Sequence, residues 1–223
     1  MTERPLGIFG GTFDPVHVGH LRLAEEAADA LDLAGVRWIP AGQPRHRDAP
    51  RAAPAQRLRM VELAIAGNPR FTVDTAEAES GEASYTVPTL ERLRAELGNA
   101  RPLVLLLGAD AYAGLPGWHR WRELFALAHL AVAHRPGFAI DTAALPDELL
   151  AEHRARAVTG DAAAALGASP AGAIAAFPTT PIAVSATQTR ALLAAGRSVR
   201  YLLPSSVIDY IDRQHLYRNH DGF

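Results

Sequence analysis

The chain has 223 residues and a formal net charge of −2, a length that favours one domain and allows a full α/β core. It contains no cysteine, which excludes disulfides, thiolate metal sites and a cysteine nucleophile, and is compatible with a cytoplasmic location. Its charges of both signs are scattered, its N-terminal residues lack a signal-peptide pattern, and no run approaches the roughly 20 apolar residues of a membrane span, so we expect no nucleic-acid or membrane partner.

Strand and helix patterns alternate along the chain. Apolar runs predict strands at 5–9, 35–40, 103–107 and 128–133, and a weaker one at 70–74. Helical patterns fall near 18–31, 54–66, 86–97, 118–127, 185–195 and 205–213. This alternation predicts an open α/β sheet of parallel strands joined by right-handed crossovers. Ligands of such sheets bind beyond the carboxyl ends of the strands, so Gly10, Pro40 and Gly108, which close three strands, should surround one crevice.

The first strand and helix are joined by the most informative stretch, residues 8–20, which reads Ile-Phe-Gly-Gly-Thr-Phe-Asp-Pro-Val-His-Val-Gly-His. Side chains three apart on a helix share a face, so His17 and His20 should project the same way from its first turn. Gly19 between them has no side chain to block close approach. Because a helix N-terminus suits an anion, the stretch predicts a phosphate site. Taken singly, the glycine pair could form a plain tight turn, and either histidine an ordinary surface or core position.

The combination resembles the signature of the nucleotidyltransferase superfamily, which shares a Rossmann-like fold with helices on both faces of an open parallel sheet. It does not match the dinucleotide fingerprint Gly-x-Gly-x-x-Gly or the P-loop. The resemblance implies that six residues contact a nucleoside triphosphate: Gly10, Gly11, Thr12, Phe13 through its amide, His17 and His20.

A basic loop follows the second predicted strand. The chain has no lysine, so any phosphate-binding cation other than histidine must be an arginine. Arg45, His46 and Arg47 stand just beyond the strand's carboxyl end, where they can meet triphosphate oxygens. A solvated basic loop is the alternative interpretation.

Two later segments carry polar and aromatic residues at element boundaries. Ser84, Tyr85 and Thr86 lead into a helix with a proline in its first turn, where an ordinary helix cap is the alternative role. Asp110 follows Gly108 at a helix start, where its carboxylate could cap the helix or hold a ribose hydroxyl.

Two tryptophans stand at helical spacing after Pro116-Gly117. One of them is expected in the core. Trp118, at the N-terminus of the predicted helix, could stack on a flat ring while backbone amides bind a carboxylate.

Residues 136–170 are rich in Ala, Gly, Pro and acidic residues and show no clear strand. Within them the stretch from Asp147 to Arg156 predicts a solvated helix. Farther on, Ser185 is a plausible N-cap residue. Thr187 and Arg190 lie three apart on one helix face, a geometry that suits a second phosphate clamp.

Taken in order, these motifs resemble the bacterial nicotinate-nucleotide adenylyltransferases from residue 6 to about residue 218, as a single nucleotidyltransferase domain over 1–223. The resemblance implies adenylyl transfer from ATP to nicotinate mononucleotide in NAD biosynthesis, giving nicotinate adenine dinucleotide and pyrophosphate. It implies Mg²⁺ bridging the phosphate oxygens, with no metal ligand from protein side chains.

The residue roles that the resemblance implies fall into three sets. The catalytic set is His17, His20 and Arg190. The ATP and phosphate set adds Gly10, Gly11, Thr12, Phe13, His46, Arg47, Gly108, Ser185 and Thr187. The nicotinate mononucleotide set is Ser84, Tyr85, Thr86, Asp110, Trp118 and His119.

Two positions depart from the family pattern, and two other functions stay open. Arg45 stands where the family has a proline, and His119 where a tyrosine is common. One alternative is a related adenylyltransferase with a phosphopantetheine acceptor, although such chains are shorter and lack the Ser-Tyr-Thr and tryptophan segments. The other is a nucleotide-binding module without turnover. The sequence leaves the oligomeric state open and is compatible with a homo-oligomer.

Overall fold

The computed structural model describes residues 3–44, 49–134 and 140–218. In these ranges the strands are β1 (Leu6–Gly11), β2 (Gly35–Pro40), β3 (Gln43–Pro44), β4 (Phe71–Val73), β5 (Ala83–Ser84), β6 (Leu103–Gly108), β7 (His129–His134) and β8 (Ile174–Pro178). The α-helices are α1 (Val18–Ala30), α2 (Pro54–Ile65), α3 (Ala76–Ser80), α4 (Thr86–Leu97), α5 (Ala109–Ala113), α6 (Leu124–Leu127), α7 (Asp147–Arg156), α8 (Ala162–Gly167), α9 (Ala186–Ala194) and α10 (Ser205–Arg213). None of these helices is long and apolar enough to cross a membrane.

Six strands form one parallel sheet in the order β4-β2-β1-β6-β7-β8. The chain builds outward from β1 to β2 and β4, returns to the other side of β1 as β6, and continues outward to β7 and β8. The direction of building therefore reverses between β1 and β6, which is the place where open α/β sheets bind their ligands.

The same two strands separate before they end. β1 pairs with β2 along its whole length, from Leu6 opposite Gly35 to Gly11 opposite Pro40. Its pairing with β6 stops at Ile8 opposite Leu105. Beyond that point the two backbones are no longer joined by ladder hydrogen bonds, so the carboxyl edge of the sheet is split at its centre.

Core residues cover both faces of the sheet, because successive side chains of a strand point to opposite faces. Phe9 and Leu106 pack with α1, α2 and α10 on one face, and Ile8 and Leu105 pack with α4, α5 and α7 on the other. The predicted open parallel sheet with helices on both faces is confirmed.

The sequence patterns place most elements well. The bounds of α4 and α10 match the predicted 86–97 and 205–213, and β2 matches the predicted 35–40. The predicted solvated helix forms as α7, although Leu149 on its inner face is fully buried.

One prediction of secondary structure is wrong, and one strand of the main sheet was not predicted. No helix runs from 118 to 127, since only 3-10 turns at 115–117 and 121–123 and the four residues of α6 form there. Arg120 has a left-handed backbone, with φ of 56°, which interrupts any helix across it. Strand β8 escaped prediction because its sequence, Ile-Ala-Ala-Phe-Pro, is poor in β-branched residues, and its pairing with β7 decides its conformation.

The start of β2 approaches its neighbour too closely for a side chain. A Cβ on Gly35 would lie 2.6 Å from the carbonyl oxygen of Arg70, a backbone atom that also accepts a hydrogen bond from the Val36 amide at 2.8 Å. We predict that Gly35→Ala lowers the free energy of unfolding by on the order of 1–3 kcal/mol, because the strand must shift. Urea denaturation measures this change.

Gly167→Ala is the matched control. Gly167 is the last residue of α8, and a Cβ there meets no atom within 4 Å. This variant should keep or slightly raise the stability, because alanine favours a helix by up to about 1 kcal/mol over glycine. Equal unfolding free energies for the two variants would contradict the close approach.

Candidate active site

The two histidines of the first motif form a stacked pair at the start of α1. His17 is the N-cap residue, with an extended backbone, and His20 follows within the first turn. Their ring centroids are 3.6 Å apart with an angle of 19° between the planes, and the His17 amide donates to Nδ1 of His20 at 3.2 Å. The prediction that both rings project the same way is confirmed. Since His20 Nδ1 accepts a hydrogen bond, the neutral ring carries its proton on Nε2.

His17 is neutral in the ligand-free protein at pH 7. Only 7% of the residue is exposed, and burial lowers the pKa of its ring from 6.5 to about 4. Within the part of the chain that the structure describes, its Nδ1 is buried without a hydrogen-bond partner. An unpaired buried polar atom is costly, and such costs concentrate at functional sites.

Gly19 lets the first motif contact the last one. A Cβ at this position would lie 2.9 Å from Cγ1 of Val184 and 3.2 Å from Nδ1 of His17. The missing side chain therefore allows the first turn of α1 to approach both the His17 ring and the residue that precedes Ser185. This supports the expectation that Gly19 permits close approach.

The Ser-x-Thr-x-x-Arg motif opens α9 and reaches the turn that follows β1. Ser185 is the N-cap residue, and its Oγ accepts from the Gln188 amide at 3.1 Å. Arg190 donates through Nη2 to Thr187 Oγ1 at 3.4 Å and through Nη1 to the carbonyl oxygen of Asp14 at 2.7 Å. The two predicted phosphate motifs therefore lie together. The capping hydrogen bond accounts for Ser185 by itself, without a ligand.

Asp14 is a structural residue of the site to which the sequence analysis gave no role. The residue is 4% exposed, and its carboxylate accepts from the Arg51 amide at 2.8 Å and from the Ala52 amide at 3.1 Å. The Tyr217 hydroxyl donates to Asp14 Oδ1 at 2.6 Å, and burial raises the pKa of that tyrosine. The carboxylate thus joins the turn after β1 to the segment before α2 and to the chain after α10.

Arg57 is a second residue that sequence reasoning missed. It is fully buried beneath the same turn, where its guanidinium contacts backbone carbonyl oxygens. Its position was a usable signal, because it precedes the core residues Met60 and Val61 by three and four, which places it on the buried face of α2.

The loop after β2 packs against the segment that contains Ser84. The Gly42 amide donates to Ser84 Oγ at 2.8 Å, and a Cβ on Gly42 would lie 2.1 Å from the carbonyl oxygen of Glu77. Burial raises the pKa of Glu77, whose Oε1 accepts from Thr89 Oγ1 at 2.5 Å. The predicted phosphate ligands His46 and Arg47, and the neighbouring Arg45, lie outside the described residues.

The predicted acceptor-binding segments meet through an aromatic contact. Tyr85 precedes the first residue of α4, Thr86, and its ring centroid lies 4.8 Å from that of His119. Trp121 is in the core, as expected of one tryptophan, whereas Trp118 is partly exposed.

The helix N-terminus expected at Trp118 is absent. Trp118 instead follows the 3-10 turn at 115–117, and its amide donates to the carbonyl oxygen of Leu115 at 2.9 Å. That amide is therefore already engaged within the protein. The proline and glycine before it favour a tight turn over the start of a regular helix.

Open space lies over both edges of the split in the sheet. A Cβ built on Gly10, near the end of β1, or on Gly108, at the end of β6, meets no atom within 4 Å in the described part of the chain. Gly11 differs, because its Cβ would lie 2.8 Å from the Phe13 ring. The exposed carboxylate of Asp110 follows Gly108 in the first turn of α5.

The chain matches the family model described as cytidylyltransferase-like over residues 8–191. It is 60% identical over 220 residues to a protein of Dechloromonas aromatica named "Probable nicotinate-nucleotide adenylyltransferase", covering 97% of this chain and 99% of that one. A protein of the same name from Aeromonas hydrophila is 50% identical over 218 residues, covering 98% of this chain and 99% of that one.

Solved structures share the fold at much lower identity. The Plasmodium falciparum nicotinic acid mononucleotide adenylyltransferase complexed with APC matches with a TM-score of 0.70 at 15% identity, covering 96% of this chain and 98% of that one. The same enzyme complexed with NaAD matches with a TM-score of 0.69, at the same identity and coverage.

The low pKa of His17 predicts a pH dependence of stability. The unfolded chain binds a proton at this ring below about pH 6.5, whereas the folded chain does so only below about pH 4. Protonation of this ring in the unfolded chain therefore lowers the free energy of unfolding as the pH falls from 6.5 towards 4. The total loss is roughly 3 kcal/mol, and above pH 6.5 this loss is absent.

Urea denaturation between pH 7 and pH 4 measures this loss. His17→Asn should show a shallower fall in unfolding free energy across that window than the wild-type chain, because it lacks the titrating ring. The prediction fails if the two curves run parallel.

Proposed function

The chain belongs to the cytidylyltransferase-like family and, within it, to the nicotinate-nucleotide adenylyltransferases, and from this premise we propose how its site performs the reaction. It transfers the adenylyl group of ATP to nicotinate mononucleotide in NAD biosynthesis, giving nicotinate adenine dinucleotide and pyrophosphate. The observation that carries the proposal is that Arg190 binds the Asp14 carbonyl in the turn that leads from β1 to the stacked His17–His20 pair, where the pairing of β1 with β6 has already ended.

The reaction needs alignment and charge neutralisation more than proton transfer. A phosphate oxygen of nicotinate mononucleotide attacks the α-phosphorus of ATP, and the bond from that phosphorus to the oxygen bridging to the β-phosphate breaks, so pyrophosphate leaves. The attacking phosphate, with a second pKa of about 6, is ionised at neutral pH and requires no general base. The protein must hold two anions in line and stabilise the charge of the transition state.

We assign the donor side of the site to the residues around α1 and α9. His17 and His20 hold the α- and β-phosphates at the N-terminus of α1, where the helix dipole favours an anion. Arg190 holds the triphosphate from the other side, and Thr187 supports its guanidinium. The Phe13 amide and the side chains of His46 and Arg47 complete the proposed phosphate contacts.

We assign the acceptor side to the segments joined by the contact between Tyr85 and His119. Thr86, Trp118 and the His119 amide read the nicotinate ring and its carboxylate, and Asp110 holds a ribose hydroxyl. Because no helix begins at Trp118, recognition of the carboxylate in this proposal rests on the His119 amide and not on a helix dipole.

We propose that Mg²⁺ accompanies the triphosphate. In the three described ranges no group of three or more His, Asp or Glu side chains could hold a metal ion, and the phosphate-facing side chains are histidine and arginine. Such a donor set suits an ion held by phosphate oxygens and water, as Mg²⁺ often is. The ion supplies neutralisation of phosphate charge. A single domain over 1–223, a cytoplasmic location and the oligomeric state remain predictions for direct measurement.

The test of the function is release of pyrophosphate from ATP and Mg²⁺, with nicotinate mononucleotide, its amide analogue and phosphopantetheine assayed in parallel. We expect the fastest turnover with nicotinate mononucleotide. Turnover with phosphopantetheine alone would keep the chemistry and overturn the acceptor assignment. ATP binding without turnover on any acceptor would favour a nucleotide-binding module.

His17→Ala should lower kcat by on the order of 10²- to 10³-fold, the effect of removing one donor to the transition state. A thermal denaturation curve is the control for folding. A loss below tenfold in a folded variant would show that His17 has no catalytic role.

A further inference from the structure

Arg57 is a cation without exposed surface, and its hydrogen bonds reach only backbone carbonyl oxygens of the described chain. Nη1 donates to Thr12 O at 2.8 Å and to Ala41 O at 2.5 Å. Nη2 donates to Gly42 O at 2.6 Å, and Nε donates to Ala52 O at 3.2 Å. The four carbonyls belong to the turn after β1, the loop after β2 and the segment before α2.

These contacts fix the direction of peptide units. In a trans peptide the carbonyl and the following N–H point in opposite directions. The Ala41 carbonyl points at Arg57, and the Gly42 N–H of the same unit duly points away from it, where it donates to Ser84 Oγ at 2.8 Å. By the same geometry the Thr12 carbonyl points at Arg57, and the Phe13 N–H points away from it.

Phe13 is held in a conformation that needs such support. Its φ is 50°, a left-handed backbone that is unfavourable for a bulky residue. Its ring packs in the core, with centroids 5.6 Å from Phe9 and 5.3 Å from Trp38. Its amide makes no hydrogen bond within 3–44, 49–134 or 140–218. The ring anchors the residue from one side, and Arg57 sets the peptide plane from the other.

We propose that Arg57 is a positioning residue for adenylyl transfer, which contacts no substrate and aims the Phe13 N–H at the triphosphate by binding the Thr12 carbonyl. This inference rests on the proposed function for the identity of the anion. A lysine cannot replace it, because three N–H donors on one nitrogen cannot reach four carbonyls that a planar guanidinium spans.

Arg94 offers a matched control on the opposite edge of the sheet. It is also buried, at 7% exposure, and it binds carbonyl oxygens of Leu127, Arg101 and Pro170. These residues precede β7, β6 and β8 at the amino ends of the strands, away from the proposed phosphate site. Burial lowers the pKa of both arginines. A purely structural role predicts the same consequences for both.

The experiment compares Arg57→Lys with Arg94→Lys in the full chain. Both variants should lose thermal stability. Only Arg57→Lys should lower kcat, on the order of 10- to 100-fold, and raise the KM for ATP, because a misplaced donor acts on the reacting phosphates. If the kinetic constants of the two variants agree within about twofold, Arg57 is structural and the proposal is overturned. Arg57→Gln replaces Arg57→Lys if the lysine variant does not fold.

A second measurement does not depend on turnover. Inorganic pyrophosphate is titrated into the ¹⁵N-labelled chain, and the Phe13 amide resonance is followed by NMR. We expect a saturable downfield shift in the wild-type chain and in Arg94→Lys, and a smaller shift with weaker binding in Arg57→Lys or Arg57→Gln.

A Phe13 resonance that stays in place while other amides shift would overturn the proposal, whether or not any variant folds. Since this readout needs only anion binding, it separates failure of the positioning role from failure of the adenylyl-transfer assignment. The adenylyl-transfer assignment is tested separately, by pyrophosphate release from the wild-type chain.

Discussion

The turn after β1 is held by two buried side chains of opposite charge, and the rest of the site depends on this constraint. A turn in this position leaves amides and carbonyls without ladder partners, and each would be costly if buried alone. The Asp14 carboxylate accepts hydrogen bonds from two backbone amides and a tyrosine hydroxyl. The Arg57 guanidinium donates hydrogen bonds to four backbone carbonyl oxygens. The negative charge of Asp14 and the positive charge of Arg57 offset part of each other's desolvation. The turn is thereby rigid before any ligand arrives, as electrostatic stabilisation of a transition state requires.

The rigid turn faces a crevice that the sheet itself creates. The pairing between β1 and β6 ends three residues before the end of β1. The two halves of the sheet therefore diverge between these strands, where the order in which the chain adds strands changes direction. Loops from the β2 half and the β6 half can therefore face each other across one opening. The aromatic contact between Tyr85 and His119 and the hydrogen bond from Gly42 to Ser84 tie these loops together beside it. The crevice therefore results from the strand order and pairing of the sheet, and the side chains form its lining.

Local sequence patterns predicted the elements whose conformation depends mainly on residues close in the sequence. Helix α4 begins and ends where the pattern predicts. The shared direction of His17 and His20 follows from their three-residue spacing at a helix start, although His17 is the N-cap residue with an extended backbone. The patterns failed where contacts between residues far apart in the sequence determine the local structure. Strand β8 exists because β7 lies beside it, and Arg57 is recognisable as a clamp only when three separate segments are seen to converge on it. The sequence places Arg57 on the buried face of α2, but it does not show which backbone carbonyls the guanidinium binds.

A neutral His17 ring favours the stability of the ligand-free protein, whereas the proposed binding of a polyphosphate favours a positive charge on that ring. A permanent cation at the buried position of His17 would add desolvation cost to the folded, ligand-free protein. Burial removes that cost by lowering the pKa of His17 to about 4. In the proposed reaction a polyphosphate bound at His17 would reverse the balance, because an opposite charge within hydrogen-bond distance favours the protonated ring. The histidine can therefore gain charge together with its ligand, whereas an arginine, always protonated, can only keep the charge it has. In the proposed reaction this difference would give the two residue types separate tasks: Arg190 would attract the anion, and His17 would adjust to it.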